Sequence, residues 1–394
     1  MGKKFRGVNN QLKNLGFSGF VALLILLGLF LPGIFTSLGQ PPQKAKIPHG
    51  DTVELSPELA SATVFTSLGE KPTTTRRLVG EGVINAVFLV EFADRDSVVV
   101  KFSNPFWSTC GKMAAEVAVM RYVEKHTTIP VPKVLATGGG EGTELPEFAI
   151  FSFAKGEKLS KALSSMSSSA RQRAFTEWAK ALAQLHQIPM QRYGSVSGTE
   201  DQLEAVALAS NGGCSGLGPW KRYNSYAAGK IRQFLPRLAG GGCANGTAVS
   251  LVPRLVCLAY SFDERIGGPK PPPPVLVHTD ASIRNVLVEP ETGEVTSVLD
   301  WEFALAAPAE EELGFPATLE GLNEADREVM ETALQQAGVP TKIDNKERKQ
   351  DLAVYTSLVT LCHAHLWGDN TETTQGKIDE AVATIRHIVK SYGC

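Results

Sequence analysis

The sequence predicts an α+β fold with two lobes, a small antiparallel β-sheet lobe carrying one helix and then a larger, mostly α lobe, preceded by an N-terminal transmembrane helix. Three observations lead there. Residues 76–102 hold short runs of β-branched and aromatic residues broken by Gly or charged turn residues, the pattern of an antiparallel meander. From Arg171 onward the apolar residues recur at helical spacing instead. Ahead of both, no charge occurs between Lys13 and Lys44, and the centre of that stretch reads Phe20-Val-Ala-Leu-Leu-Ile-Leu-Leu-Gly-Leu-Phe-Leu31.

The N-terminal region divides into a basic tail (1–14), an apolar segment (15–38) and a linker (39–60). As a helix, 15–38 crosses the roughly 30 Å of bilayer hydrocarbon, even with Pro32 and Gly33 near its far end. Lys3, Lys4, Arg6 and Lys13 precede it and only Lys44 and Lys46 follow closely. The positive-inside rule then leaves the N-terminus in the cytosol and the folded part in a lumen or outside the cell. Two alternatives stay open. Small residues at Ser37-Leu38-Gly39 suit a signal peptidase, and the lack of any acid before Asp51 suits a mitochondrial element. Pro41, Pro42, Pro48 and Pro57 mark the spacer that follows.

Composition bounds the rest. At 394 residues, with 43% hydrophobic and 20% charged, the chain is ordinary globular protein, long enough for one large two-lobed unit. Lys plus Arg number 39 against 41 acids, a net charge of -2, which excludes a field that would recruit nucleic acid. The six cysteines are scattered without a CxxC pair, so neither a zinc site nor a dense disulfide framework is predicted. Free thiols are the expectation, one that weakens if the folded part is lumenal.

The first lobe is assigned to 61–154 and the second to 155–392, with a Gly-rich insertion at 208–247. Arg76–Gly80, Ala86–Ala93 and Ser97–Phe102 read as strands, and Gly111–Lys125 as a helix with Ala114, Val117, Met120 and Val123 on one stripe. Pro130 and Pro132 end it, and Phe148–Phe153 is another strand. In the second lobe Phe175, Trp178, Leu182 and Leu185 stripe a helix over 171–187, and a further helix is predicted over 224–238 inside the insertion. Pro271–Pro274 leads stiffly into strand Val275–Val277, and helices over 352–366 and 376–390 close the chain.

The most specific segment is Val277-His278-Thr279-Asp280-Ala281-Ser282-Ile283-Arg284-Asn285-Val286-Leu287-Val288, followed by Val298-Leu299-Asp300-Trp301-Glu302. His-x-Asp, four residues and then Asn, a strand, a turn at Glu291–Glu294 and a second strand ending in Asp resembles the aminoglycoside phosphotransferase family of protein-kinase-like, two-lobed enzymes. Trp301-Glu302-Phe303-Ala304 adds to that resemblance. It implies an ATP-dependent phosphotransferase that moves the γ-phosphoryl group, with Mg2+, onto a hydroxyl of a small molecule. Such chemistry needs a base near the acceptor and hard oxygen ligands for the metal. Asp280 is then the catalytic base, Asn285 and Asp300 the metal ligands, and His278 a brace.

Upstream residues follow the same order. Lys101, at the end of a strand, would hold the nucleotide phosphates and Glu116 would orient it. Gly80 and Gly82, with Asn85 at the family's polar position, would form the phosphate-covering turn, although a lone GxG also makes a plain hairpin. Phe151 and Phe153, in the link between lobes, would offer backbone groups to adenine. Two departures stand out. Thr279 replaces the family's usual Gly, and Ala307-Pro-Ala-Glu-Glu-Glu-Leu313 replaces Asp-Pro-x-x-Asp-Leu. One of those glutamates substitutes for the Asp at an open register, or the run draws a cationic acceptor, or it is a solvated helix start.

A protein kinase-like enzyme is the alternative within catalysis, but no Ala-Pro-Glu segment or Asp-Phe-Gly triplet is present. A non-catalytic nucleotide-binding scaffold tethered to a membrane is the other, against which the complete polar set argues. The acceptor is read as a small hydroxylated compound chosen by the variable region 194–246. A tension remains between ATP, most plentiful in cytosol, and the charge-derived orientation, which the sequon Asn245-Gly-Thr247 could report.

Overall fold

The computed structural model describes residues 55–78, 85–103, 112–140, 142–206, 217–241, 243–265, 272–313, 321–363 and 371–394. The tail, the apolar segment 15–38, Gly80, Gly82, Cys110, Cys214 and residues 207–216 of the insertion lie outside them. Among the described residues no helix is long and apolar enough to cross a membrane.

Helix α1 (Pro57–Leu68) begins inside the stretch read as linker. Ser56 Oγ caps it by accepting from Leu59 N–H, Pro57 sits in its first turn, and Gly69 ends it at φ 75°. Such a cap is worth about 1 kcal/mol. Pro57 therefore starts a helix, where its missing N–H costs nothing, rather than ending a spacer.

Strands β1 (Thr74–Arg77), β2 (Ala86–Glu91) and β3 (Val98–Phe102) form the expected antiparallel meander. Helix α2 (Lys112–His126) follows, then β4 (Val134–Gly138) and β5 (Phe148–Ser152), completing a five-stranded sheet in the order β1-β2-β3-β5-β4. α1 covers this sheet at β1 and β2, burying Ala60 and Val64 against Phe88, Val100 and Phe102. β2 and β3 are almost wholly buried, which explains their continuous apolar runs.

After β6 (Glu157–Lys158) and the short α3 (Leu159–Ala162), α4 (Ser168–Leu185) carries the predicted stripe, with Phe175 and Trp178 fully buried. β7 (Gly194–Gly198) and β8 (Leu203–Val206) precede α5 (Tyr223–Arg232) and α6 (Leu235–Ala239). The single helix expected over 224–238 is thus two. Pro236 is the cause, since its ring and missing N–H interrupt a continuing helix but fit the first turn of a new one. α7 (Val252–Arg265) then leads to β9 (Val275–Val277), β10 (Val286–Glu289), β11 (Glu294–Val298) and β12 (Leu305–Ala307). These complete two small antiparallel sheets, β11-β10-β6 and β8-β7-β12-β9. The β10–β11 turn needs Gly293, at φ 74°, because a Cβ there would lie 1.9 Å from Ala170 O. Helices α8 (Glu324–Ala337), α9 (Lys346–His363) and α10 (Thr371–Ser391) finish the lobe.

The free-thiol expectation is overturned for the described cysteines. Cys243 pairs with Cys362 and Cys257 with Cys394, across 119 and 137 residues of sequence. Spacing along the chain could not reveal this, because packing of α7, α9 and α10 around the 3₁₀ turn Ala244–Leu251 brings the partners together.

Candidate active site

The loop 278–285 runs from β9 to β10, strands of different sheets, so each end is fixed. Inside it, Ser282 N–H donates to Asp280 O at 2.8 Å and Asn285 N–H to Ser282 O at 2.9 Å. Asn285 Nδ2 donates to both Asp280 O at 2.9 Å and Asp280 Oδ2 at 3.0 Å. With its amide hydrogens so used, the Asn285 amide oxygen is the end left for a ligand. Leu299 N–H donates to Asn285 O at 2.8 Å, bringing Asp300 beside the loop.

His278 braces this assembly. Its Nε2 lies 3.0 Å from Leu299 O, its ring packs 4.5 Å from that of Trp301, and Asp280 N–H approaches Nδ1 at 3.3 Å. Burial lowers its pKa against the charges of Glu312 and Asp300, which keeps the imidazole neutral.

Thr279 sits at φ 63°, a left-handed backbone that glycine adopts without strain and a β-branched residue does not. Two bonds offset the strain. Thr279 Oγ1 donates to Phe303 O at 2.8 Å, and its N–H donates to Glu312 Oε1 at 2.7 Å. Glu312 Oε2 accepts from His278 N–H at 3.0 Å. Glu312 is therefore the acid of the altered segment that grips the loop. Burial raises its pKa, but the hydrogen bond from His186 and the neighbouring His186 and His278 outweigh that and hold it low. Its two neighbours are also engaged internally, Glu310 on Arg348 at 3.1 Å and Glu311 on the fully buried Lys230, which also holds Asp351 at 2.7 Å. The run is neither a solvated helix start nor an open acidic patch.

From the β-sheet lobe, Lys101 on β3 places its ammonium 2.9 Å from Glu116 on α2, 3.3 Å from Asp300 and 3.6 Å from Glu302. Burial lowers its pKa, but the three carboxylates dominate and hold it well above the ordinary lysine range. Glu116, buried and crowded by Glu302 and Asp300, is pushed up to about 7 despite Lys101. Asp280 also rises to about 7, through burial and then the charge of Asp300, against Arg284 and the Asn285 hydrogen bond. Asp300 itself is at φ 65°, a sparsely populated backbone that persists where surroundings fix it.

The structure thus gathers Lys101, Glu116, Asp280, Asn285 and Asp300. Asn85 joins through Glu302, its Nδ2 donating to Glu302 Oε2 at 2.7 Å, while its buried Oδ1 meets no partner. Phe151 is a buried strand residue paired with Val99, and Phe153 is 42% exposed with its N–H donated to Ser97 O at 3.1 Å. Two residues escaped sequence reasoning. Glu302 tethers Asn85 and Lys101, and Lys112 holds its ammonium 4.1 Å above the Phe303 ring. Lys112 lies four residues before Glu116, hence on the same helix face, and that spacing was the available signal. Among the described residues no group of three or more His, Cys, Asp or Glu forms a metal cage. Magnesium requires none, since one or two protein carboxylates with phosphates and water suffice.

The profile described as "Phosphotransferase enzyme family" matches residues 75–348. No curated protein matches the chain. Solved structures do. A thermostable mutant of aminoglycoside phosphotransferase APH(4)-Ia, without ligand, is similar at TM-score 0.52 and 16% identity, covering 84% of this chain and 98% of that one. A further variant of the same enzyme, in ternary complex with AMP-PNP and hygromycin B, gives 0.51 and 16%, over 84% and 98%. APH(2")-IIIa with GDP and kanamycin gives 0.51 and 13%, over 84% and 99%. At such identities the likeness is one of fold.

Proposed function

Because the chain belongs to the phosphotransferase enzyme family, and is a phosphotransferase acting on hydroxyl groups, we propose that it moves the γ-phosphoryl group of ATP onto a small-molecule alcohol. The observation that carries this is the hydrogen-bonded Asp280–Asn285 pair beside Asp300, with Lys101 and Glu116 closing the cluster from the other lobe.

In this reading Asp280 takes the acceptor's proton as the acceptor oxygen bonds to phosphorus and the γ–β bridging bond breaks, releasing ADP. Asn285 aims the base, since its amide holds Asp280 at both the main chain and Oδ2. Lys101, fixed by Glu116, supplies positive charge to the phosphates. The chemistry of the donor set fits magnesium, with the Asn285 amide oxygen and the Asp300 carboxylate as hard ligands. When bound, the ion would neutralise phosphate charge. Asp280→Ala should abolish turnover and leave Mg·ATP binding nearly intact, whereas Asp300→Ala should weaken metal-dependent nucleotide binding by about tenfold or more. Isothermal titration with Mg·ATP separates the two, and unaltered binding in Asp300→Ala would remove it as a ligand.

We further propose that residues 15–38 anchor the protein in a membrane and that the catalytic unit faces an oxidising compartment. The two disulfides support this, since such bonds persist in secretory and extracellular spaces and are rare in cytosol. A glycan on the Asn245 sequon, detected as a mobility shift after glycosidase treatment, tests the orientation, and full accessibility of the catalytic unit to cytosolic protease would refute it.

A further inference from the structure

Resting on that reading, we infer that Glu302 is a positioning residue for the phosphate end of the nucleotide site, acting through Asn85 to fix where the phosphate-covering segment stands relative to Lys101 and Asp300.

Glu302 stands on a rigid base. It lies in the 3₁₀ turn Trp301–Phe303, directly after Asp300. The buried Trp301 donates its Nε1–H to Val298 O at 3.0 Å, and Phe303 O accepts from Thr279 Oγ1 at 2.8 Å, so both ends of the turn are pinned to the second lobe. From there the Glu302 side chain, only 5% exposed, reaches the first lobe. Its Oε2 accepts from Asn85 Nδ2 at 2.7 Å and lies 3.6 Å from Lys101 Nζ. The first is a direct hydrogen bond and the second a longer charge contact. The hydrogen bonds of Lys101 go to Glu116 and Asp300 instead. Asn85 is therefore the residue that Glu302 holds.

Asn85 closes the segment 80–85 assigned to covering the phosphates and directly precedes β2, whose Val87 pairs with Lys101 on β3. It is 5% exposed. A carboxylate faces the NH2 end of an amide, because its oxygens repel the other end. What stays open on Asn85 is Oδ1, an acceptor, which cannot bond a phosphate oxygen. Asn85 thus locates the covering segment rather than gripping phosphate itself. The bond spans 217 residues of sequence and joins the lobes where one supplies Lys101 and the other Asp300. Breaking it leaves a donor and an acceptor buried without a partner.

The test measures Mg·ATP affinity of the full-length chain by isothermal titration, with adenosine as a competitor that reports the site without its phosphate end. Asn85→Ala and Glu302→Ala should each weaken Mg·ATP binding about tenfold and leave adenosine unchanged. The double variant should be no weaker than the weaker single, as two partners of one bond require. Glu302→Gln, whose amide oxygen still accepts from Asn85, should recover most of the affinity. Asn85→Asp sets carboxylate against carboxylate and should lose more than Asn85→Ala, and combining it with Glu302→Gln should restore binding with donor and acceptor exchanged. Tighter Mg·ATP binding in Glu302→Ala overturns the inference, since Glu302 would then obstruct the phosphates. Additive losses or an equal loss of adenosine affinity overturn it too. So does an exchanged pair that binds no better than Asn85→Asp alone, a comparison that stands even where an alanine variant does not fold. Failure of the wild-type protein to bind Mg·ATP overturns the phosphotransfer reading instead.

Discussion

Replacing Asp280 with Asn should stabilise the protein while abolishing its activity, and the size of the gain should depend on pH. Burial and the nearby Asp300 charge raise the pKa of the Asp280 carboxyl from its ordinary 3.8 to about 7. By linkage that difference corresponds to at most about 4 kcal/mol against the folded state once the group is ionised. Asp280 is only partly buried, and solvent screens the remainder, so about 1 to 3 kcal/mol is expected. For a carboxyl whose folded pKa is raised, the penalty is absent below the unfolded value, grows as pH climbs towards the folded value, and is constant above it. Asp280→Asn should therefore equal wild type near pH 4 and exceed it near pH 8. The Asn285 bond survives, because an amide oxygen still accepts. Denaturant unfolding of both proteins at the two pH values isolates the effect, since all other titrating groups are shared. A gain that is the same at both pH values, or a loss at pH 8, refutes the reasoning. Under the proposed mechanism the same elevated pKa gives kcat/KM an acid limb: the rate should rise with pH through about 7 as Asp280 loses its proton.

Two further substitutions probe the scaffold. Thr279→Gly relieves a left-handed backbone but loses the hydroxyl bond to Phe303 O, terms of about 1 kcal/mol each, so thermal unfolding should move little. Thr279→Val keeps the strain and loses the bond, and should cost about 1–2 kcal/mol. Replacing Cys243 and Cys362 with Ser opens a loop spanning 119 residues of sequence and should cost about 2–5 kcal/mol in unfolding free energy. Reductant, which opens the Cys257–Cys394 bond as well, should cost the wild type at least as much.

The α4 stripe and the closing helices were legible because each buries one face, and the meander because near-complete burial of β2 and β3 leaves continuous apolar runs; α2 is buried on most sides, and Ala114 of its expected stripe is exposed. β4 was not, since its residues alternate between exposed and half-buried and include Gly138. α8 carries clear signals, an Asn323 cap and Gly338 at φ 78°, that went unread beside the stronger motif upstream. In the site, Asp280, Asn285 and Asp300 were readable because loop and turn fix their spacing. Glu302 was not, because Asn85 lies 217 residues away and only folding brings the two together, and Lys112 carried no signal beyond its spacing to Glu116. The disulfides share that cause. Spacing leaves open which glutamate of the acid run takes the place of the family Asp, because only the three-residue 3₁₀ pitch of Ala309–Leu313 sends successive glutamates to different partners.

The two departures from the family pattern turn out to touch each other. A family Gly at 279 would accept the left-handed turn without cost. Thr279 does not, and a β-branched residue there must be held. What holds it is the other departure: Glu312, in the segment where the family has Asp, spans the consecutive N–H groups of His278 and Thr279 with its two oxygens. Glu312 is in turn kept ionised by His186, so the grip does not weaken by protonation near neutral pH. The altered segment, at first sight a threat to catalysis, is thus the counterpart of the altered loop. Because the loop's main chain is gripped from behind by Glu312 and from the front by Asn285, Asp280 has few ways to turn aside despite its unfavourable burial. A strained backbone, a buried clamp and a carboxyl with a raised pKa are then three consequences of one arrangement, which spends folding energy to hold Asp280 where water would otherwise keep it acidic.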